Sequence, residues 1–275
     1  MKKAAILYDF DKTLSPRDME EYSLIPDLGY ENPRDFWDEV TELSVRNNMD
    51  SISAYLYMLE KKYEDNGTPL TMDAFLPLGR DVELFPGVES WFRRINAYGR
   101  KAGFFIEHYI ISSGMSEVIE AVPIAREFSR IYACRYYYDE QGHAKWPARI
   151  VNYTTKTQYI FRINKGVLDE SDDASVNEFV PETKRPIPFE RMIYIADGFT
   201  DVPCMKLVKT YGGKSIAVYN QSDTVAKQLI KDGRANFVAK ADYREDSDLE
   251  KLVSQIIDHM KADELLRERE ERTHG

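Results

Sequence analysis

Two aspartates, two residues apart, close the first apolar run of the chain. The run Ala4-Ala5-Ile6-Leu7-Tyr8 carries no charge and is too brief for a helix, so it reads as a buried strand. Asp9 and Asp11 follow, then Lys12 and Thr13. In an extended segment residues i and i+2 point to the same side, so both carboxylates face whatever lies beyond the strand's carboxyl end. Open α/β sheets place their ligands there. Carboxylates held this close repel one another, and a site that keeps both ionised holds a cation. The plainer reading is an acidic turn in which Asp11 caps a helix.

Two further strand-like runs end in small polar or acidic residues: Phe104 to Ile111 before Ser112-Ser113-Gly114, and Arg191 to Ala196 before Asp197-Gly198-Phe199-Thr200-Asp201. If the three strands are neighbours in one parallel sheet, these groups meet in a single crevice. Each has a bland alternative: Ser-Ser-Gly is ordinary turn chemistry, and Asp201 could simply cap the next helix. Backbone N–H groups near Ser113 and Gly114, at a helix start, also suit a phosphate.

Composition narrows the field. With 275 residues, 43% hydrophobic and 31% charged, the chain has the make-up of a globular protein of one large or two smaller domains. A net charge of −10 argues against a broad nucleic-acid face. No apolar run approaches the ~20 residues that span a bilayer, and the first strand begins too early for a signal peptide. Cys134 and Cys204 stand far apart without metal-like spacing, which predicts buried free thiols and a cytoplasmic location. His108, His143, His259 and His274 neither cluster nor sit at a motif.

The elements that must position these residues follow from periodicity. After Ser15 the pattern is helical: Asn32-Pro33 opens a stripe of Phe36, Trp37, Val40 and Leu43, and Ile52, Tyr55, Leu56, Leu59 and Tyr63 form a second, stopped at Asn66-Gly67. A third helix runs from Thr71 to about Gly79. From Phe85 helix and strand alternate again. Val88, Trp91, Phe92 and Ile95 form a face with Gly99 as C-terminal cap. Ser116 to Phe128 is helical with a break at Pro123, and Ile131–Tyr138 with Ala144–Val151 reads as a hairpin. A helix covers Thr155 to Ile163. Residues 164–190 read as loop, with Asp169 to Asp173 solvated. A helix carries Cys204, Leu207 and Val208, and Ser247-Asp248-Leu249-Glu250 is a capping box for the last one. The charged tail from Arg267 to Gly275 is expected to fray.

In order and spacing, Asp9-Phe10-Asp11-Lys12-Thr13, Ile111-Ser112-Ser113-Gly114, a lysine, and Asp197-Gly198-Phe199-Thr200-Asp201 resemble the motifs of the haloacid dehalogenase-like hydrolases, phosphatase branch. The hairpin and the position of the helical insert look most like the phosphoserine phosphatase-like members. The resemblance implies an α/β, Rossmann-like three-layer core with a mostly parallel sheet (residues 1–15 and 81–275) and a small all-helical cap (16–80). It implies Asp9 as nucleophile, Asp11 as acid and then base, Ser112 or else Ser113 as the phosphate-binding hydroxyl, and Mg²⁺ on Asp9, the Asp11 carbonyl, Asp197 and Asp201. The family's lysine falls on Lys156 or Lys165, with Lys156 the better fit. Elementary chemistry agrees: a phosphate ester needs an in-line nucleophile and an acid beside the departing oxygen, and one strand end could supply both. The expected substrate is a small phosphorylated metabolite. A phosphomutase, or a silent member that binds a ligand or partner protein, are the alternatives. Arg17, Arg46, Tyr22 and Tyr55 are the insert's candidate substrate contacts, most of them expected to be packing, and Lys12 is expected to point away from its acidic neighbours.

Overall fold

The computed structural model describes residues 1–274. Its strands are β1 (Lys2–Tyr8), β2 (Phe104–Met115), β3 (Arg130–Tyr138), β4 (Ala144–Arg149), β5 (Met192–Ala196), β6 (Lys214–Tyr219) and β7 (Phe237–Lys240), in one sheet of order β4-β3-β2-β1-β5-β6-β7. All neighbours are parallel except β4, which returns antiparallel on β3 as the expected hairpin. Every residue from Ala4 to Tyr8 is buried. Successive residues of a strand point to opposite faces, so β1 is covered on both. It is central, paired with β2 on one side and β5 on the other, and the three acidic or serine-bearing strand ends are therefore adjacent.

The helices in chain order are α1 (Leu24–Asp27), α2 (Pro33–Asn47), α3 (Ser51–Asp65), α4 (Met72–Asp81), α5 (Val88–Ala102), α6 (Ser116–Ala121), α7 (Lys156–Lys165), α8 (Asp173–Asn177), α9 (Val202–Thr210), α10 (Thr224–Lys231) and α11 (Asp248–His274). Between β1 and α5 the chain is helical, as its periodicity predicts. Asn32 caps α2, its side chain accepting from the Arg34 N–H at 3.1 Å with Pro33 at the first helical position. Asp50 caps α3 in the same way, accepting from Ile52 and Ser53. The two helices bury Phe36, Val40, Tyr55, Leu56 and Leu59. The far end of this insert rests on the sheet: the Ala144 N–H donates to the Leu70 carbonyl at 2.8 Å, and α4 packs on α6. A Cβ on Gly79 would stand 2.4 Å from the Val118 carbonyl oxygen, so only glycine permits that approach.

A buried polar chain ties α5 to the central strands. Trp91 Nε1–H donates to the Tyr8 hydroxyl at 2.8 Å, Tyr8 lies 3.0 Å from His108 Nδ1, and His108 Nε2 lies 3.0 Å from Asn96 Oδ1. Since Asn96 Oδ1 can only accept, Nε2 carries the hydrogen of the neutral imidazole, and Nδ1 accepts from the Tyr8 hydroxyl.

Several expectations need correction. Gly99 lies inside α5, where a Cβ would meet Ile106 at 2.4 Å; the cap is Gly103, at positive φ. β2 does not end at Ile111 but continues through Ser112-Ser113-Gly114 to Met115. The stretch 116–128 breaks at Pro123 as expected, with α6 ending at Ala121, but past the break only a 3-10 turn forms, at Ala125–Glu127. The 164–190 stretch holds α8, and its acidic part is organised, not merely solvated: carbonyls of Asp169, Glu170 and Asp172 accept from the buried Arg162 guanidinium. The tail is helical to His274 instead of frayed, with Arg267 2.9 Å from Glu190; Gly275 lies outside the described residues. Cys134 and Cys204 are buried free thiols, as expected.

Candidate active site

Past the carboxyl end of β1 the chain turns around one acceptor. The Phe10 carbonyl receives the N–H groups of Thr13, Leu14 and Ser15, and the left-handed turn this needs falls on Lys12, at φ 54°. The Asp9 N–H stays in the sheet, donating to the Ile195 carbonyl of β5 at 3.0 Å. Asp9 Oδ1 accepts from the Phe10 N–H at 2.8 Å and lies 3.2 Å from Lys156 Nζ, while Oδ2 receives no donor among the described residues. Asp11 sits on the turn, its Oδ1 accepting from the Met19 N–H at 2.7 Å.

Lys156, the first residue of α7, is the lysine that reaches these carboxylates. Its ammonium is 2.7 Å from Asp201 Oδ1 as well as 3.2 Å from Asp9, with Lys156 1% and Asp201 0% exposed. Burial lowers its pKa, but the charges of Asp201 and Asp9 outweigh that and raise it, so the lysine is cationic. Tyr194, which the sequence did not single out, donates its hydroxyl to the same Asp201 oxygen at 2.7 Å. Lys165 is elsewhere, its ammonium spent on the carbonyls of Val176 and Glu178.

Asp9, Asp197 and Asp201 each bring an oxygen within 4.8 Å of the others. Burial, then the charge of Asp201, raises the pKa of Asp9, against the pull of Lys156. Asp197 is pushed up to about 7 by burial and by Asp201. Asp11 is raised by burial and by Glu20, Asp18 and Asp9 in turn. Crowded acids of this kind favour protons or a cation, and an all-oxygen donor set suits a hard divalent ion such as Mg²⁺.

The extension of β2 explains how serine reaches the cleft. Between the pairs Ile111–Tyr132 and Met115–Cys134, β2 takes four steps and β3 takes two, so two extra residues are looped out of the ladder. Ser112, Ser113 and Gly114 form that bulge. Ser112 Oγ accepts from the Gly114 N–H at 3.1 Å and keeps its own hydrogen to give. Ser113 Oγ is buried without a partner. At Gly114 a Cβ would lie 2.1 Å from Met19 Cε and 3.1 Å from Asp11 Oδ2, so glycine here keeps the first turn and the bulge in contact.

A cleft of about 460 Å³ collects these groups: Asp9, Asp11, Ser112, Ser113, Gly114, Lys156 and Asp197 all line it, and Asp201 stands behind Lys156. Missed in the sequence were Asp18, Glu20, Trp37, Ile52, Tyr153 and Phe199, which line it too. Of the four insert residues named as candidate contacts only Tyr55 does so; Tyr22 instead bonds Ser15 Oγ at 2.9 Å under the Arg17 guanidinium. Lys12 does not turn from its acidic neighbours but reaches back to Asp18 at 2.6 Å, on the cleft wall. A larger hollow of about 570 Å³ lies at the amino ends of β1 and β5, but its charges pair with one another, Lys2 with Glu268 and Arg267 with Glu190.

No family model matches the chain. Among solved structures, it is similar to a HAD family hydrolase from Salmonella enterica serovar Typhi, with TM-score 0.57 at 16% identity over 82% of this chain and 66% of that one. It is similar also to a probable phosphoserine phosphatase from Vibrio cholerae, TM-score 0.61 at 13% identity over 96% of this chain and 67% of that one. A phosphoserine phosphatase in apo form gives TM-score 0.58 at 16% identity, covering 92% and 98%. The fold is thus the HAD-like α/β fold of the phosphoserine phosphatases. Within it, the chain belongs to the same family as a Borreliella burgdorferi protein described as uncharacterized, 30% identical over 92% of this chain and 96% of that protein.

Proposed function

We propose that this protein is a Mg²⁺-dependent phosphomonoesterase that hydrolyses a small phosphorylated metabolite through an aspartyl-phosphate. The observation that carries the reading is Lys156 held between Asp9 and Asp201, at three neighbouring strand ends, in one cleft with Asp11 and Ser112. Asp9 Oδ2, free of donors, attacks phosphorus as the bond to the leaving oxygen breaks. Asp11, its proton affinity raised by its surroundings, gives that oxygen a proton. It then takes a proton from the water that attacks the acyl phosphate, which frees the Asp9 carboxylate and returns Asp11 to its protonated form. Lys156 neutralises charge on Asp9 and the phosphoryl group, and the Ser112 hydroxyl with nearby bulge N–H groups holds phosphoryl oxygens. Mg²⁺ would be held by Asp9, Asp197 and the Asp11 carbonyl, supported by Asp201, and would supply charge neutralisation at the phosphoryl group. A phosphoserine phosphatase of similar fold has been crystallised as an analogue of its phospho-aspartyl intermediate, which supports the same chemistry here.

The insert would serve as a cap that keeps water out of the cleft during attack. No helix among the described residues is long and apolar enough to cross a membrane, and the acidic chain suits a small metabolite better than a nucleic acid. The test is Asp9→Asn: it should abolish Mg²⁺-dependent release of phosphate from an aryl phosphate while circular dichroism stays unchanged. Undiminished turnover would remove Asp9 as nucleophile, and absence of stoichiometric free phosphate in the wild type would favour phosphoryl transfer over hydrolysis.

A further inference from the structure

The insert contributes five side chains to the cleft wall: Asp18, Glu20, Trp37, Ile52 and Tyr55. Two are acids, two are aromatic, one is aliphatic, and none is basic. Asp18 is paired with Lys12. Glu20 is not paired with any cation among the described residues; it is 3% exposed, and its side chain accepts only the Tyr55 hydroxyl, at 2.9 Å. The nearest basic residue of this segment, Arg17, is committed elsewhere, stacked over the Tyr22 ring at 4.0 Å. Trp37 and Tyr55 stand with ring centroids 5.3 Å apart and planes at 42°, forming an aromatic corner that lines the same cleft as Glu20, with the Tyr55 hydroxyl on its carboxyl group.

This wall discriminates between leaving groups. An ester whose alcohol carries a carboxylate would bring it against Glu20, whose ionised form burial already disfavours, with no arginine or lysine of the insert to receive it, and like charges in a partly dry site repel strongly. An ammonium group would meet an unpaired buried carboxylate and the faces of an indole and a phenol, the surroundings that bind alkylammonium ions. We infer that the substrate is an ammonium-bearing phosphomonoester without a carboxylate, an ester of the ethanolamine or choline type, and that Glu20 with the Trp37–Tyr55 corner reads its cation. This rests on the phosphomonoesterase reading of the same cleft and sets this protein apart from the phosphoserine phosphatases whose fold it shares.

The test compares kcat/KM with Mg²⁺ for choline phosphate, ethanolamine phosphate, phosphoserine, 4-nitrophenyl phosphate and 3,3-dimethylbutyl phosphate, the uncharged isostere of choline phosphate. We expect one of the two ammonium esters to exceed the neutral isostere at least about tenfold, and phosphoserine by more. Glu20→Gln, which keeps an acceptor for Tyr55, should bring the ratio of ammonium ester to isostere close to one. Trp37→Leu, at a partly exposed position, should lower it several-fold and serves alone if the Glu20 variant does not fold. Equal turnover of the isostere, a preference for phosphoserine, or a ratio unmoved by both variants overturns the inference. Hydrolysis of the aryl ester without any ammonium preference overturns it alone; hydrolysis of none of the esters overturns the phosphomonoesterase reading with it.

Discussion

Lys156 carries a carboxylate on either side, and all three groups are out of water. Removing one member of such a cluster leaves its partners as uncompensated buried charges, which costs about 3–5 kcal/mol. Lys156→Met should therefore lose stability of that order in urea unfolding and nearly all of the proposed phosphatase activity, whereas Lys165→Ala, whose ammonium meets the carbonyls of Val176 and Glu178 at the end of α8, should keep its activity. The reverse ranking would exchange the two lysines. Gly114→Ala must displace Met19 or Asp11, and is expected to lower kcat by at least tenfold with the protein still folded. Asp9 and Asp11 could be found in the sequence because a spacing of two in a strand fixes a common side, and Asp197 because it ends another strand. Glu20 could not: its chemistry comes from burial against Tyr55, thirty-five positions away, and one acidic residue in Asp18-Met19-Glu20-Glu21 looks like any other. Lys12 misled for a related reason. Its direction is set by a left-handed turn that the sequence marks with no glycine.

Among the elements, those with a strong period or cap signal formed where the pattern put them: β1, α2, α3 and the β3–β4 hairpin. The failures share a cause, tertiary contact overriding a local cue. Gly99 looked like a cap but is a close approach to Ile106, and Ser-Ser-Gly looked like a turn but is a bulge inside a longer strand. One pair of contacts is specific to this arrangement of elements. The α2–α3 corner touches the loop before Lys156 twice, Asp50 accepting from Asn152 Nδ2 at 3.1 Å and Ser51 Oγ lying 2.8 Å from the Tyr153 hydroxyl. Ser51→Ala and Tyr153→Phe should each raise KM modestly. Combined, they should show a coupling of about 0.5–1 kcal/mol, as for one shared hydrogen bond. Strict additivity in the double variant would mean that the bond does not form in solution.

At the scale of the whole molecule, stability should carry the signature of the buried chain from Trp91 to Asn96. Burial pushes the His108 pKa down from 6.5 to about 3, so the folded protein holds the imidazole neutral. Below pH 6.5 the unfolded chain takes up a proton that the folded chain refuses; stability present above that pH is lost as pH falls toward 3, at about 1.4 kcal/mol per unit. Between about pH 7.5 and pH 5 the wild type should lose about 2 kcal/mol more than His108→Gln, compared by urea unfolding at both values. Equal pH slopes in the two proteins would show that His108 is protonated in the fold.

The contact of Gly79 with the Val118 carbonyl has a consequence for motion. It fixes the last helix of the insert to the sheet side, together with the Ala144–Leu70 hydrogen bond, while α3 is tied to the sheet by the buried bond from the Tyr136 hydroxyl to the Leu56 carbonyl and to the loop before Lys156 by the polar contacts at the α2–α3 corner. The insert thus has a closely packed end at α4 and a more lightly tied end at the α2–α3 corner, so an opening of the cleft should hinge at the first, as a door does from its jamb. In native-state hydrogen exchange, the amides of α4 should open only with the whole molecule, and those of α2 and α3 well before it.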